Sequence, residues 1–450
     1  MKYVKRWLVA ALVAALPAAA MSASPGFLIY RVYLPSTSPQ EVKLPTLTLR
    51  YNDGRPSKTL APCANPVKGL LQDMVAKTAS RCAWPVIVAG QNGLNVAYPD
   101  TGATYWVAPF IIDPAMTIQV DGEFPDARYM SFNTYDGTGA SFEANGVKSA
   151  LADYLIKPHP GSKNPWKTQA PAGGTFTVVV TPNAVPGMPN ALPMPPEKSP
   201  QLSKFIGMGQ VCSNAPCPDT YAFEPYGGSG GGMFPNVDND YVSTRQEVTW
   251  KDVIVVRGKL PRTPTGASAT HPVVWPNPNM DVRYWSICNN WSVAPFMVED
   301  CLFDHQMVTD DEGYYTFVTS SQWSRPKNAN ADHGVSWLEM STLLPAIKKQ
   351  IIVRNMLPHD FAEAIQNVPD HGGQAGAREV MKAYYPEVWK CSKKDFEAGG
   401  WRACALASAL KRALNDALRP ERDREFDYFG LRTLYDRYLL RHPRTREVIE

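Results

Sequence analysis

A segment of this chain occurs twice, and the duplication limits the fold more than any other feature of the sequence. Pro99-Asp100-Thr101-Gly102-Ala103-Thr104-Tyr105 is followed by the stretch Thr117 to Pro125. A shift of 136 residues carries both onto Pro235-Asn236-Val237-Asp238-Asn239-Asp240-Tyr241 and Val253 to Pro261 without a gap. The second copy then gains 19 residues, including the proline-rich stretch His271 to Pro278. After them Arg128-Tyr129-Met130-Ser131 meets Arg283-Tyr284-Trp285-Ser286, and Phe176 to Val179 meets Tyr315 to Val318.

Each copy reads as antiparallel β structure. Thr117–Val120 and Ile254–Val256 are β-branched runs that end in a glycine turn. Arg128–Tyr135 and Arg283–Asn290 alternate as strands do, and Thr175–Val180 and Tyr314–Thr319 supply later ones. From about residue 340 the pattern turns helical, with Leu406, Leu410, Leu414 and Leu418 every fourth position and Pro420 as the stop. That stripe is expected to pack. A second C-terminal helix is expected around Phe426, Phe429, Leu434 and Tyr438, and a short one after Pro66 capped by Asn65. The expected fold is mainly β with a helical C-terminal part: two tandem duplicated β-sandwich or jelly-roll-like units plus an α-helical cap. The expected boundaries are a first unit over 24–181, a proline-rich linker over 182–200, a second unit over 201–340 and the cap over 341–450. A chain of 450 residues accommodates two or three such domains.

Residues 1–23 read as a secretory signal peptide. Lys2, Lys5 and Arg6 open it, Trp7 to Leu16 is apolar, and Ala18-Ala19-Ala20 offers a cleavage site. Those three basic residues equal the formal net charge of +3, so the mature chain is near neutral. Residues 376–450 hold 16 basic and 12 acidic residues, interleaved as on a solvated helix face. No basic patch of the kind nucleic acid requires is evident. No later stretch reads as an integral membrane segment. A secreted or periplasmic location follows, and there the eight cysteines favour disulfides. Spacing suggests Cys63–Cys82, Cys212–Cys217, Cys288–Cys301 and Cys391–Cys404, among 105 connectivities.

The pattern Pro-Asn-x-Asp, then Tyr, a valine-rich strand and a later Arg-Tyr resembles paired secreted bacterial domains of unknown function. Members of that family carry a Pro-Asn-x-Asp-Thr-x-Tyr motif on a β-sandwich unit. Pro235, Asn236, Asp238, Tyr241, Arg283 and Tyr284 match it, whereas Asn239 stands where the family has Thr. The first copy keeps Pro99, Tyr105, Arg128 and Tyr129. The resemblance implies a fold and an export route, and no activity or cofactor.

Several motifs point to chemistry. Asp100-Thr101-Gly102 has the aspartic-protease signature, but that mechanism needs a second Asp and the repeat places Asn236 opposite. Gly227-Gly228-Ser229-Gly230-Gly231 has the form of a nucleophile elbow without the flanking strand and helix. Asn236, Asp238 and Asp240 alternate as in half a calcium loop, without its glycine and distal glutamate. His305, His333 and His359 each adjoin an Asp and form a candidate metal set for a secreted metal-dependent hydrolase, sited between the second unit and the cap. The twinned strand places Arg128, Tyr129, Arg283, Tyr284 and Trp285, with Tyr241, as candidate ligand contacts. Buried arginines need carboxylates, and Asp153 and Asp300 are the expected partners. The leading expectation is an exported binding or envelope-associated protein, with a glycan or a small apolar or anionic molecule as ligand. A purely structural role, through assembly by residues 262–280, is a third reading.

Overall fold

The computed structural model describes residues 25–66, 82–196, 222–225, 234–246, 248–292, 295–341 and 349–417. The signal peptide, the helix expected after Pro66, Cys212 and Cys217, the serine loop 227–231 and the last expected helix lie outside them.

Along the first half run β1 (Pro25–Pro35), β2 (Thr46–Tyr51), β3 (Lys58–Leu60), β4 (Val86–Ala89), β5 (Ala103–Ile111) and β6 (Met116–Glu123). They are followed by β7 (Ala127–Tyr135), β8 (Glu143–Ala144), β9 (Val147–Lys148), β10 (Ala150–Ala152), β11 (Thr175–Thr181) and β12 (Ala191–Pro193). The second half holds β13 (Glu224–Pro225), β14 (Asn239–Gln246), β15 (Asp252–Lys259), β16 (Val282–Trp291) and β17 (Val298–Phe303). Then come β18 (Tyr314–Ser320), β19 (Ser336–Glu339), β20 (Lys349–Pro358) and β21 (Glu387–Ser392). The fold is mainly β, with sandwich-like units and a C-terminal helix.

The chain divides into two compact units. The first comprises residues up to 248, 259–307 and 343–385; the second comprises 249–258, 308–342 and the chain from 386.

In the first unit, one sheet has the order β10-β7-β1-β5-β4 and a second the order β12-β11-β6-β2-β3. They pack face to face because alternate residues of each strand are apolar: Leu28, Tyr30 and Val32 of β1 meet Ile118 and Val120 of β6 and Phe176, Val178 and Val180 of β11. Tyr30 stacks on Phe132 at 4.8 Å and on Trp106 at 5.5 Å. A third sheet, β13-β14-β20-β16-β17, belongs to the same unit. It covers the outer face of the first sheet through Tyr33, Ala103, Tyr129, Tyr284 and Met356. Every residue of β7 is therefore buried, with a core face and a seam face.

The second unit holds the sheet β19-β18-β15-β21 and the helix Lys393–Ala417. Val253, Val255, Val318, Trp389, Phe396 and Ala405 form its core. Cys391–Cys404 ties β21 to the helix, which breaks at Gly399–Gly400, with Gly400 at φ 60°. The leucine stripe faces outward: Leu406, Leu410 and Leu414 are 58%, 57% and 60% exposed. Packing goes instead to the small residues Ala405, Ser408 and Ala409 on the other face. Among the described residues, no helix is long and apolar enough to cross a membrane.

Strand order extends the duplication beyond the sequence repeat. The first sheet read as β10-β7-β1-β5-β4 corresponds to the third read as β17-β16-β20-β14-β13. Likewise β12-β11-β6-β2 corresponds to β19-β18-β15-β21, and both β11–β12 and β18–β19 are parallel pairs. The first copy begins with the two strands, β1 and β2, that the second copy supplies last as β20 and β21. The copies are thus circular permutations of one another. Residues 341–450 are accordingly not wholly helical, since β20 and β21 lie among them. The leucine spacing describes only the helix Lys393–Ala417. Ile351-Ile352-Val353 is a continuous apolar run covered on both faces, which periodicity alone does not assign. Residues 182–200 also do more than link, because β12 pairs with β11 through Ala191, Leu192 and Pro193.

Candidate functional site

The seam between the first and third sheets gathers most of the twinned polar residues. In the lower layer Arg128 and Arg283 are fully buried, and each finds its carboxylate in the other copy. Arg128 Nη1 and Nη2 donate to Asp304 Oδ1 and Oδ2 at 2.8 and 2.7 Å. Arg283 Nη1 and Nη2 donate to Asp153 Oδ1 and Oδ2 at 3.1 and 3.0 Å. Each guanidinium also donates to the other arginine's carbonyl, Arg128 Nε to Arg283 O at 2.9 Å and Arg283 Nη2 to Arg128 O at 2.7 Å. The rings cross over as well: Arg128 lies 5.4 Å from the Tyr284 ring and Arg283 lies 5.8 Å from the Tyr129 ring. Asp153 is a partner as expected, but to the arginine of the opposite copy. Asp300 is not. It accepts from Thr101 Oγ1 and the Cys301 amide, and Asp304 takes the place expected for it.

The two carboxyls titrate apart. Burial pushes Asp153 up to about 6 against the pull of Arg283. Burial also works against the Asp304 charge, but the closer Arg128 and the bonds from His305 and the Trp285 amide hold it below the usual carboxylate range.

The upper layer is half-open in that its tyrosines Tyr105 and Tyr241 are partly exposed while Arg31, Tyr33 and Arg354 are buried. Arg31 of β1 and Arg354 of β20 occupy equivalent places: Arg31 pairs with Ser131 and Tyr105 across its sheet, Arg354 with Ser286 and Tyr241. Each reaches a main-chain carbonyl of the opposite copy at 2.9 Å, Arg31 that of Phe234 and Arg354 that of Tyr98. Phe234 and Tyr98 hold those carbonyls in place from left-handed backbone at φ 55° and 54°, a conformation costly for aromatic residues. Arg31 stands 5.5 Å from the Tyr105 ring and Arg354 stands 5.6 Å from the Tyr241 ring. Tyr105 and Tyr241 are half-buried, while both arginines are buried. Tyr33 Oη joins the layer, 3.2 Å from both Tyr105 Oη and Asn239 Nδ2. Burial raises the hydroxyls of Tyr33, Tyr105, Tyr129 and Tyr241 above the ordinary tyrosine range, so these phenols stay neutral and can donate.

Asp100, the first residue of the Asp-Thr-Gly motif, sits in this layer as a structural acid. Its Oδ1 accepts from the Gly102 amide at 2.9 Å, and its Oδ2 from Ser286 Oγ at 2.7 Å and Arg354 Nη1 at 3.4 Å. A Cβ on Gly102 would come within 2.8 Å of the Phe303 ring, which accounts for the glycine. Asp240, of the half calcium loop, accepts from the Tyr241 amide, and burial with the nearby Asp370 pushes it up to about 6. A folded-state value above the unfolded one favours the protonated fold. The stability this group contributes is therefore full below about pH 4 and lost as pH rises through about 6. Asp240→Asn is expected to remove that loss, and urea unfolding at a series of pH values would show a flatter profile. An unchanged profile would mean that Asp240 titrates alike folded and unfolded.

The expected ligand contacts are thus dispersed. Arg128, Tyr129, Arg283 and Tyr284 are buried in the seam, Trp285 is buried on the strand face opposite Tyr284, and Tyr241 lies in the half-open layer. Of the expected metal set, His305 and His359 lie in the first unit and His333 in the second. His305 contacts Asp304 at 3.4 Å, His359 contacts Asp360 at 3.6 Å, and His333 bonds Asn330 at 2.8 Å. Among the described residues the one group of potential ligands within mutual reach is Asp100, Cys288 and Cys301, and those cysteines are bonded to each other. The pairings Cys63–Cys82, Cys288–Cys301 and Cys391–Cys404 are present as expected. Sequence reasoning missed Arg31 and Arg354. The available signal was a single arginine inside each of two apolar strand runs, Ile29-Tyr30-Arg31-Val32-Tyr33 and Ile351-Ile352-Val353-Arg354.

No protein-family model matches the chain, and no curated protein matches it. Among solved structures, an uncharacterized protein from Burkholderia cenocepacia is similar at 10% identity and a TM-score of 0.37, over 62% of this chain and 76% of its own. The VPA0106 protein from Vibrio parahaemolyticus is similar at 12% identity and a TM-score of 0.21, over 83% of this chain and 89% of its own.

Proposed function

We propose that the protein is an exported binding protein that takes a small molecule with a flat apolar body at the half-open layer of the seam, between Tyr105 and Tyr241. The observation that carries this reading is the pairing of two half-buried tyrosines with two buried arginines at equivalent positions of the two copies. Rings of this kind stack on planar groups, and neutral phenols donate hydrogen bonds to a bound polar edge. Export is supported by the basic and apolar start of the sequence and by three disulfides, which persist in oxidising compartments.

Equilibrium dialysis against a panel of aromatic acids, phenols and oligosaccharides tests the reading. Aromatic compounds are expected to bind, and Tyr105→Ala or Tyr241→Ala to weaken them by about tenfold. Binding of oligosaccharides alone, or of aromatic compounds with undiminished affinity in both variants, would place the site elsewhere.

A further inference from the structure

The pseudo-symmetry of the half-open layer is broken where Asn236 stands opposite Asp100, as it is where Asn133 stands opposite Cys288, and the first of these breaks takes a carboxylate contact away from a buried cation. Asp100 and Asn236 are equivalent by the repeat and by conformation. Each accepts the amide of the second residue on through its side-chain oxygen, at 2.9 Å for Asp100 and 3.3 Å for Asn236. Each also accepts the amide of the third residue on through its carbonyl, at 3.0 and 2.9 Å. At Asp100 the remaining oxygen meets Arg354 of the other copy. At Asn236 the corresponding atom is an amide nitrogen, which points to Tyr129 Oη at 3.5 Å.

Arg31, the twin of Arg354, consequently has no carboxylate in hydrogen-bond contact. Its Nη1 donates to Asn133 Oδ1, and its Nη2 to Tyr135 Oη and Phe234 O. Asp238 lies within electrostatic range, but its Oδ2 is engaged by the Tyr129 hydroxyl. Arg31 is 1% exposed, and its Nε has no acceptor among the described residues. The same holds for Nδ2 of the fully buried Asn133, the residue that Arg31 contacts. Two buried N–H donors without acceptors beside one positive charge form an incomplete anion site, since leaving such groups unmade costs free energy that a bound acceptor would recover.

We propose that Arg31 Nε and Asn133 Nδ2 receive the carboxylate of a small ligand, which would give Arg31 the acid contact that Asp100 gives Arg354. This rests on the seam being a binding site and adds the chemical class of what it binds: a carboxylic acid, with its apolar body toward Tyr105 and Tyr241.

The test is the melting temperature of the full chain with formate, the smallest carboxylate, against formamide and against chloride at matched ionic strength. Formate is expected to raise Tm by about 2–4 °C and formamide to leave it unchanged. Asn236→Asp restores the internal carboxylate, so it is expected to raise Tm by itself and abolish the response to formate. Arg31→Gln tests the same point if that variant fails to fold, and is also expected to abolish the response. No response in the parent chain, or an unchanged response in a variant, would overturn the proposal. Benzoate and benzamide separate this failure from that of the binding reading. Equal shifts with both, lost in Tyr241→Ala, would keep the seam as a binding site and remove the carboxylate; no shift with either would remove both.

Discussion

Asp304→Ala is expected to destabilise the protein by about 3–5 kcal/mol at neutral pH, among the largest effects of any single substitution outside the apolar core. The cost arises because Arg128 stays fully buried with its counter-ion removed and only carbonyl acceptors left. Asp304 also accepts the Trp285 and His305 amides, so two main-chain donors lose their partner with it. A shift of the urea midpoint with an unchanged slope would measure the loss, and a loss under about 1 kcal/mol would show that solvent reaches Arg128. The pH dependence has a defined sign. Because the Asp304 carboxyl is held below its ordinary value, its contribution is present above about pH 4 and disappears as pH falls, so the gap between parent and variant narrows in acid. Asp153, raised to about 6 by burial, contributes in the opposite sense: its contribution is full below about pH 4 and declines as pH rises through about 6.

A chain ending at residue 340 is expected not to fold cooperatively. A helical cap could be removed at modest cost, but this truncation removes β20, which pairs with β14 on one side and β16 on the other. It also removes β21, the partner of β15. Without β20 the middle of the third sheet is gone, and with it Ile351, Ile352, Val353, Arg354 and Met356, all buried. Burying one such aliphatic side chain stabilises by roughly 1.5–3 kcal/mol, so the loss of these four alone is comparable with the usual margin of about 5–15 kcal/mol for a whole domain. Circular dichroism and amide exchange of the truncated chain decide the matter; native-like protection of β14 and β16 would refute the permuted arrangement.

The same strands show how far the sequence could be read. The repeat, the β character of both copies and the cysteine pairs that the structure describes were legible because they are local. Strand alternation, turn residues and spacings of 13 or 19 residues between bonded cysteines can be seen along one chain. The first and last strands of each copy were not legible as equivalents. A fixed shift aligns only segments that keep their order, and β1–β2 precede the first repeat while β20–β21 follow the second. The helical reading of residues 341–450 failed for the same reason, with β20 hidden between patterns of a different period.

The candidate site divides along that line. Sequence alone determined that Arg128 and Arg283 are twins on strands, that buried arginines of this kind need acids, and that Asn236 stands opposite Asp100. Only the tertiary structure decided that Arg128 pairs with Asp304 and Arg283 with Asp153, each across to the other copy. It also brought Arg31 and Arg354, far apart in sequence, into equivalent positions beside Tyr105 and Tyr241. The physical reason is that charge pairing in a buried seam depends on which sheet faces which, and that follows from packing two apolar faces together rather than from any local preference of the chain.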